Sequence, residues 1–249
     1  MSDEVARFAD ERRREAAAMS EDPELKHLAR EWFDRSFQYR YSYNFTWLGR
    51  PIIQYPEDIV AVQELLWRVR PDLVVETGVA HGGSLMLSAS ILELLGHGSV
   101  IGIDVDIRRH NRTAIEEHPM SKRIQLIEGS STDDKVLAEV FQRAANLKRI
   151  VVFLDSNHTH EHVIRELDLY SPLVRQGSYL VVFDTVIEKM PNTASSNRPW
   201  ARGDNPMTAV KEFLGRNQRF EVDKELEQRL AFSVAPSGYL RCIEDPAHK

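Results

Sequence analysis

The sequence predicts an α/β protein: a mostly parallel sheet with helices on both faces and a late antiparallel strand. Three observations predict this. Apolar strand-like runs alternate repeatedly with segments of helical spacing from Pro56 onward. The runs are continuously apolar rather than alternating, as expected of strands covered on both faces. In "VVETGVAHGGSLMLSASI", β-branched residues give way to an acid, three glycines and a helix-like run, the signature of a strand bending into a helix.

The elements follow in order. "DEVARFADERRREAAAM" reads as a charged helix. The aromatic stretch that follows has Phe37, Tyr39, Tyr41, Tyr43, Phe45 and Trp47 at a spacing of two, which predicts an extended segment with one aromatic side. Residues 1–55 are thus expected to form an N-terminal helical and aromatic arm, a lid or oligomer contact, ahead of a domain over 56–249. "PEDIVAVQELLWRVRP" is a helix with acids in its first turn, where they suit the helix dipole. "DLVVET" is a strand, 83–95 a helix stopped by Gly96 and Gly98, "SVIGIDVD" a strand and 109–117 a helix. "RIQLIEG" is a strand, "DDKVLAEVFQRAAN" a helix, "RIVVFLDS" a strand, "HEHVIRELDLYSPLV" a helix and "GSYLVVFDTV" a strand. A long polar loop leads to the helix "NPMTAVKEFLGRN". "FEVDKEL" and "LAFSVAP" are then expected as late strands, and "KELEQRLAFSVAPSGYL" as a hairpin-like pair turning at "PSG".

Composition removes several function classes. The net charge of −6 offers no basic face for nucleic acid. One cysteine, Cys242, excludes an intrachain disulfide and a cysteine-rich zinc site, and suits a reducing cytoplasm, the expected location. No apolar run reaches the length of a membrane span, and the charged opening residues lack the apolar core of a signal peptide.

In such a sheet, ligands sit beyond the carboxyl ends of the strands. Gly78 stands where backbone must approach a ligand, Gly82 and Gly83 leave room where the helix starts, and Ser84 can cap the helix or touch the ligand. A dinucleotide fingerprint would need a glycine two residues after Gly78, and there is none. Asp104, about 25 residues on, can accept hydrogen bonds from ribose hydroxyls. Gly129, Ser130 and Ser131 can line an adenine pocket. Glu76 disfavours a pyrophosphate and favours a ligand carrying ammonium and sulfonium groups, which points to S-adenosylmethionine.

A second constellation follows. "FLDSNHTHEH" and "VVFDTVIE" bring Asp155 and Asp184 to the same sheet edge, where two carboxylates call for a cation between them. An all-oxygen pair suits Mg²⁺ or a similar divalent ion. His158 is placed to take a proton. His160 and His162 are expected on the first turn of a helix, solvated; alternation by two argues against a zinc site made of all three histidines. Asn157 either orients neighbours or closes an Asx-turn. Arg198, Trp200 and Arg202 lie in the loop after Asp184 and are candidates for contact with a polar or sugar substrate.

"ETGVAHGGS", "GIDVD", "LDSNHTHEHV", "GSYLVVFDT" and "RPWARGDNPMTAV", in that order, resemble the cephalosporin hydroxylase family. Despite its name, that family consists of class I S-adenosylmethionine-dependent O-methyltransferases with a Rossmann-like fold and includes rhamnosyl O-methyltransferases. The resemblance implies the methyl donor at Glu76, Gly78, Gly83, Asp104 and the Ser130 region. It also implies Mg²⁺ at the acids ending the fourth and fifth strands, with His158 as base. Where relatives often carry Glu-Asp, this chain has Phe183-Asp184, so one acidic ligand of the family pattern is missing; this leaves open a site completed by water or Asn157, a weakly bound Mg²⁺, or a reaction without it. The expected acceptor is a deoxysugar or glycosylated natural product, and the expected assembly a homo-oligomer. Two other readings stand beside this one: a non-haem iron hydroxylase using Asp155, His158 and His160, and a non-catalytic cofactor-binding subunit.

Overall fold

The structure, a computed structural model, describes residues 3–190 and 197–246. The chain opens with helices α1 (Asp3–Glu21) and α2 (Pro23–Gln38), then a short hairpin of β1 (Phe45–Trp47) and β2 (Arg50–Ile52). Eleven further elements build the α/β unit up to its fifth long strand and last long helix: α3 (Pro56–Val69), β3 (Leu73–Thr77), α4 (Gly83–Leu95), β4 (Ser99–Asp104), α5 (Arg109–Glu116), β5 (Ile124–Glu128), α6 (Asp134–Ala144), β6 (Ile150–Leu154), α7 (His160–Tyr170), β7 (Tyr179–Val182) and α8 (Pro206–Arg216). β8 (Phe220–Val222), the short helix α9 (Lys224–Gln228) and β9 (Tyr239–Cys242) complete the chain.

The seven-stranded sheet has the order β5-β4-β3-β6-β7-β9-β8. β5, β4, β3, β6 and β7 are parallel, while β9 pairs antiparallel with both β7 and β8. From β3 the chain walks outward through β4 and β5, then returns to β6 on the other side. The carboxyl ends of β3 and β6 therefore form the switch point, where an open α/β sheet leaves a crevice.

The continuous apolar runs are explained by two cores. Val74, Val100, Val151 and Val181 face a core shared with α3 and α4, including Leu65, Leu66 and Met86. Their neighbours in sequence, Val75, Ile101, Val152 and Val182, face a second core with Val140, Leu167 and Phe213 of α6, α7 and α8. Strand residues point alternately to opposite faces, and here both faces are covered. Each fully buried Leu or Val contributes about 1.5–3 kcal/mol, which fixes the register of the central strands.

Two expectations are corrected. The aromatic stretch is not one extended segment: Phe37 ends α2, residues 41–44 form a 3-10 turn, and only Phe45–Trp47 is strand. Asp22 caps α2 by accepting from the Glu24 and Leu25 amides, and Pro23 stands at its first turn. The helical spacing of Ala29, Phe33 and Phe37 then outweighs the spacing of two beyond it. Arg40, with φ 51, turns the chain out of the helix. Phe33, Ile52 and Tyr55 pack into the same core as α3, and Phe33 stacks on Phe232 at 4.4 Å.

The expected hairpin over "KELEQRLAFSVAPSGYL" is not formed either. Asp223 accepts from the Leu226 amide and starts α9 instead of continuing the strand. The Val234 amide goes to Asp58 Oδ2, not to a ladder. "PSG" does turn the chain, through Gly238 N–H to the Ala235 carbonyl, but it leads from a loop into β9. No helix among the described residues is long and apolar enough to cross a membrane.

Candidate active site

A cavity of about 420 Å³ opens at the switch point, a size typical of small-molecule sites. Gly78, Asp104, Gly129, Asp155 and Asp184 line it from the ends of the five parallel strands. The strand ladders run on into these residues: Gly78 N–H donates to the Ile103 carbonyl, Gly129 N–H to that of Asp104, and Asp155 N–H to that of Thr77. The sheet therefore sets their positions.

Gly78 (φ 92) is required for two reasons. Its backbone is left-handed, and a Cβ there would stand 2.1 Å from the Asp155 carbonyl oxygen. The glycine lets the ends of β3 and β6 touch while lining the cavity. Gly82 and Gly83 are not among the lining residues. A Cβ on Gly83 would stand 2.2 Å from the Pro51 carbonyl oxygen, and one on Gly82 would meet Ile115. Both leave room for the chain itself, at β2 and α5. Asp104 Oδ2 accepts from the Val79 and Ala80 amides (2.8 and 3.3 Å), pinning the glycine loop to the end of β4.

Glu76 is buried beneath the cavity rather than on its wall. It accepts a hydrogen bond from Ser84, and its second oxygen, Oε2, has no partner among the described residues. Burial pushes its carboxyl up to about 7, only partly offset by Ser84. It borders a small internal void with Gln54, Asp58 and Asp155, and Gln54 and Asp155 also line the main cavity. Ser131 lines the main cavity; the Ser130 hydroxyl instead meets that of Thr132.

On the other side, Asp155, His158 and Asp184 converge, with one ligand atom from each lying within 4.8 Å of the others. His158 Nε2 is 3.3 Å from Asp184 Oδ2. Burial, and then the nearby Asp184 carboxylate, hold the Asp155 carboxyl well above the usual range. Asp184 adopts a left-handed backbone (φ 56), uncommon for a non-glycine residue and costly in isolation. Two oxygen donors and one imidazole around a shared space, with an acid whose charged form is disfavoured, form a donor set that fits a divalent cation.

Phe183 is buried between Phe153 and Tyr239, so the residue beside Asp184 is part of the core and offers no ligand atom. The third donor beside the acid pair is His158. Asn157 does not take that place: its Oδ1 accepts from the Thr159 amide and hydroxyl, closing the Asx-turn.

The three histidines diverge, as their spacing predicts. His160 and His162 are not simply solvated, however. His160 pairs with Thr208 (2.9 Å) and Glu212 (3.1 Å) of α8, away from the acid pair, so the Asp155–His158–His160 iron triad is not assembled. His162 lines the cavity and meets Ser131 and Ser156. Of the loop after Asp184, residues 191–196 lie outside the described residues. Trp200 sets its ring edge-on to His158 at 5.7 Å, Arg198 lies over Trp200, and Arg202 is exposed.

Sequence reasoning missed Gln54, Ser42 and Tyr43, which line the cavity from the N-terminal segment, and it missed the role of Ser156 and His162 in the wall. No spacing pattern links residues 42–54 to the strand ends; only packing does.

The sequence profile of the family described as "Rhamnosyl O-methyltransferase/CmcI" matches residues 39–243. The chain is 29% identical over 199 residues to a rhamnosyl O-methyltransferase of Mycobacterium tuberculosis (strain ATCC 25618 / H37Rv), covering 78% of this chain and 77% of that protein. It is 30% identical over 201 residues to a rhamnosyl O-methyltransferase of Mycobacterium leprae (strain TN), covering 78% and 82%. Two solved structures of CmcI share the fold at 20% identity over 81% of this chain and 77% of theirs: CmcI-N160 in its apo form (TM-score 0.57) and CmcI-D160 with Mg and SAM (TM-score 0.54). This chain belongs to the rhamnosyl O-methyltransferase/CmcI family, and is a class I S-adenosylmethionine-dependent O-methyltransferase.

Proposed function

We propose that this enzyme methylates a hydroxyl of a deoxysugar, rhamnosyl-like in character, or of a glycosylated natural product, with the help of a divalent cation such as Mg²⁺. The observation that carries the reading is the meeting of Asp155, His158 and Asp184 on the wall of the cavity that also holds Gly78, Asp104 and Gly129. The relatives named as rhamnosyl O-methyltransferases support the sugar acceptor, and the neighbour described with Mg and SAM supports the cation.

In this reading the donor lies along Gly78, Asp104, Gly129 and Ser131, with Glu76 supplying negative charge from below. Gly82 and Gly83 act by letting the chain pack, and Ser84 by holding Glu76. Asp155 and Asp184 hold the cation, which when bound supplies positive charge that makes a neighbouring hydroxyl more acidic. The transfer converts a hydroxyl to a methyl ether and releases one proton. His158 manages that proton: its Nε2 lies 3.3 Å from Asp184 Oδ2, and the Trp200 ring meets the imidazole edge-on. Trp200, with Arg198 and Arg202 on the same loop, contacts the sugar. Tyr43 and Ser42 cover the cavity from the N-terminal segment, whose division from the main unit at residue 55 remains part of this proposal. A homo-oligomer is proposed on the exposed Val5, Phe8 and Leu28 of α1 and α2; sedimentation velocity tests it.

The testing experiment is incubation with labelled S-adenosylmethionine and a panel of rhamnosides, with and without EDTA. Label transfer to a rhamnoside, abolished by EDTA and restored by Mg²⁺, is the expected result. Transfer that ignores EDTA removes the cation from the mechanism, and transfer only to sugar-free phenols removes the sugar.

A further inference from the structure

The loop between β3 and α4 holds a strained residue that is not a glycine. Ala80 lines the cavity with a left-handed backbone, φ 46. Its Cβ makes that conformation costly, which is why glycine usually takes such positions. Hydrogen bonds to the loop backbone keep it there. Gly78 N–H donates to the Ile103 carbonyl, and the Val79 and Ala80 amides donate to Asp104 Oδ2. Gly82 N–H closes the turn on the Val79 carbonyl at 2.8 Å.

The two carbonyls between them are held by side chains from distant elements. Asn111 Nδ2, on α5, donates to the Ala80 carbonyl at 2.9 Å. Arg50, on β2, donates to the His81 carbonyl through Nε (3.0 Å) and Nη2 (2.6 Å), and Nη2 also reaches Asn111 Oδ1 at 3.1 Å. Asn111 is buried, and neither residue lines the cavity. The hairpin that carries Arg50 is itself tied down. The Trp47 indole N–H donates to Ser90 Oγ of α4 at 2.9 Å, His118 Nε2 lies 3.0 Å from the Leu48 carbonyl, and the Pro51 backbone packs against Gly83. A brace thus runs from the N-terminal hairpin through Arg50 and Asn111 to the strained turn.

We propose that Arg50 and Asn111 are positioning residues for this loop: by holding the Ala80 and His81 carbonyls they keep Ala80 left-handed, and so keep the loop in the form that receives the methyl donor. The proposal rests on the reading that the donor lies along Gly78 and Asp104. Without the brace, Ala80 relaxes out of the left-handed region in part of the population. Apparent donor affinity then falls by the fraction of molecules that remain competent. A glycine at position 80 has no such conformation to escape from, so it makes the brace dispensable.

Calorimetry with S-adenosylhomocysteine on the full chain tests this through a double-mutant cycle. Arg50→Met is expected to weaken binding by about tenfold, and Ala80→Gly alone to change it by about threefold at most. The double variant, Arg50→Met with Ala80→Gly, is expected to recover most of the loss. Arg50→Lys keeps the charge without the planar fork; it is expected to lose about fivefold and to be rescued by Ala80→Gly in the same way. It also decides the matter should Arg50→Met fail to fold, as thermal midpoints will show. Unchanged affinity in the folded Arg50 variants overturns the proposal and leaves the donor reading standing. So does a double variant in which the two losses simply add, since Arg50 would then act on something other than the Ala80 conformation. Failure of the unmodified chain to bind S-adenosylhomocysteine removes both.

Discussion

Asp155 and Gly78 are in backbone contact across the switch point: a Cβ on Gly78 would stand 2.1 Å from the Asp155 carbonyl oxygen. The two halves of the candidate site, the glycine loop after β3 and the acid cluster after β6, are thus one rigid junction. Gly78→Ala is expected to destabilise the fold by about 1–3 kcal/mol, through both the left-handed φ and the overlap with backbone that cannot yield. Thermal or urea unfolding measures it. Loss of activity should accompany the change, since Asp155 must move.

His158→Gln keeps size and polarity but removes the base. Its kcat is expected to fall by about 10²–10⁴-fold, with S-adenosylhomocysteine affinity nearly unchanged. Steady-state rates paired with calorimetry check this. Equal loss in both quantities would mean that His158 binds the donor instead.

Asp184→Asn relieves the repulsion between the two carboxylates and weakens the donor set. In EDTA its thermal midpoint is expected to rise above that of the unmodified protein. Its activity is expected to fall by about 100-fold and to respond less to Mg²⁺. Melting curves with and without EDTA, beside rates over a Mg²⁺ series, read both effects.

Glu76 gives the fold a pH dependence. Its carboxyl, at about 7 in the folded chain against 4.5 ordinarily, leaves the folded state binding more protons between those values. Stability therefore falls as pH rises from 4.5 to 7, by about 3 kcal/mol for this group, and is level above that window. Asp58, pushed up to about 6 by burial, adds a slope of the same sign over a narrower range. Glu76→Gln should remove the larger part, so that the variant is more stable than the unmodified chain at pH 8 without ligand. Chemical unfolding at pH 5 and pH 8 tests the sign.

Trp200→Ala removes the ring that meets His158 at 5.7 Å. With the imidazole free to turn, kcat/KM is expected to fall by about 10–100-fold while donor affinity holds. A drop confined to KM for the sugar would assign Trp200 to acceptor binding alone.

The alternation of apolar runs with helical segments was enough to fix the parallel sheet, its helical cover and the side on which ligands bind, because strands buried on both faces have no other pattern to follow. It also put Gly78, Asp104, Gly129, Asp155 and Asp184 at strand ends, and strand ends in a parallel sheet share one edge. Local sequence could not weigh competing contacts. It could not show that Asp223 would cap a helix, that Val234 would spend its amide on Asp58, or that Phe37 would close a helix. Nor could it tell that Gly82 and Gly83 make room for Ile115 and Pro51, or that His160 turns to Glu212 while His162 turns to Ser131 and Glu166. Those outcomes depend on partners far along the chain. Only packing, which brings Gln54 and Tyr43 over a cavity they show no periodic relation to, decides which side chains share it.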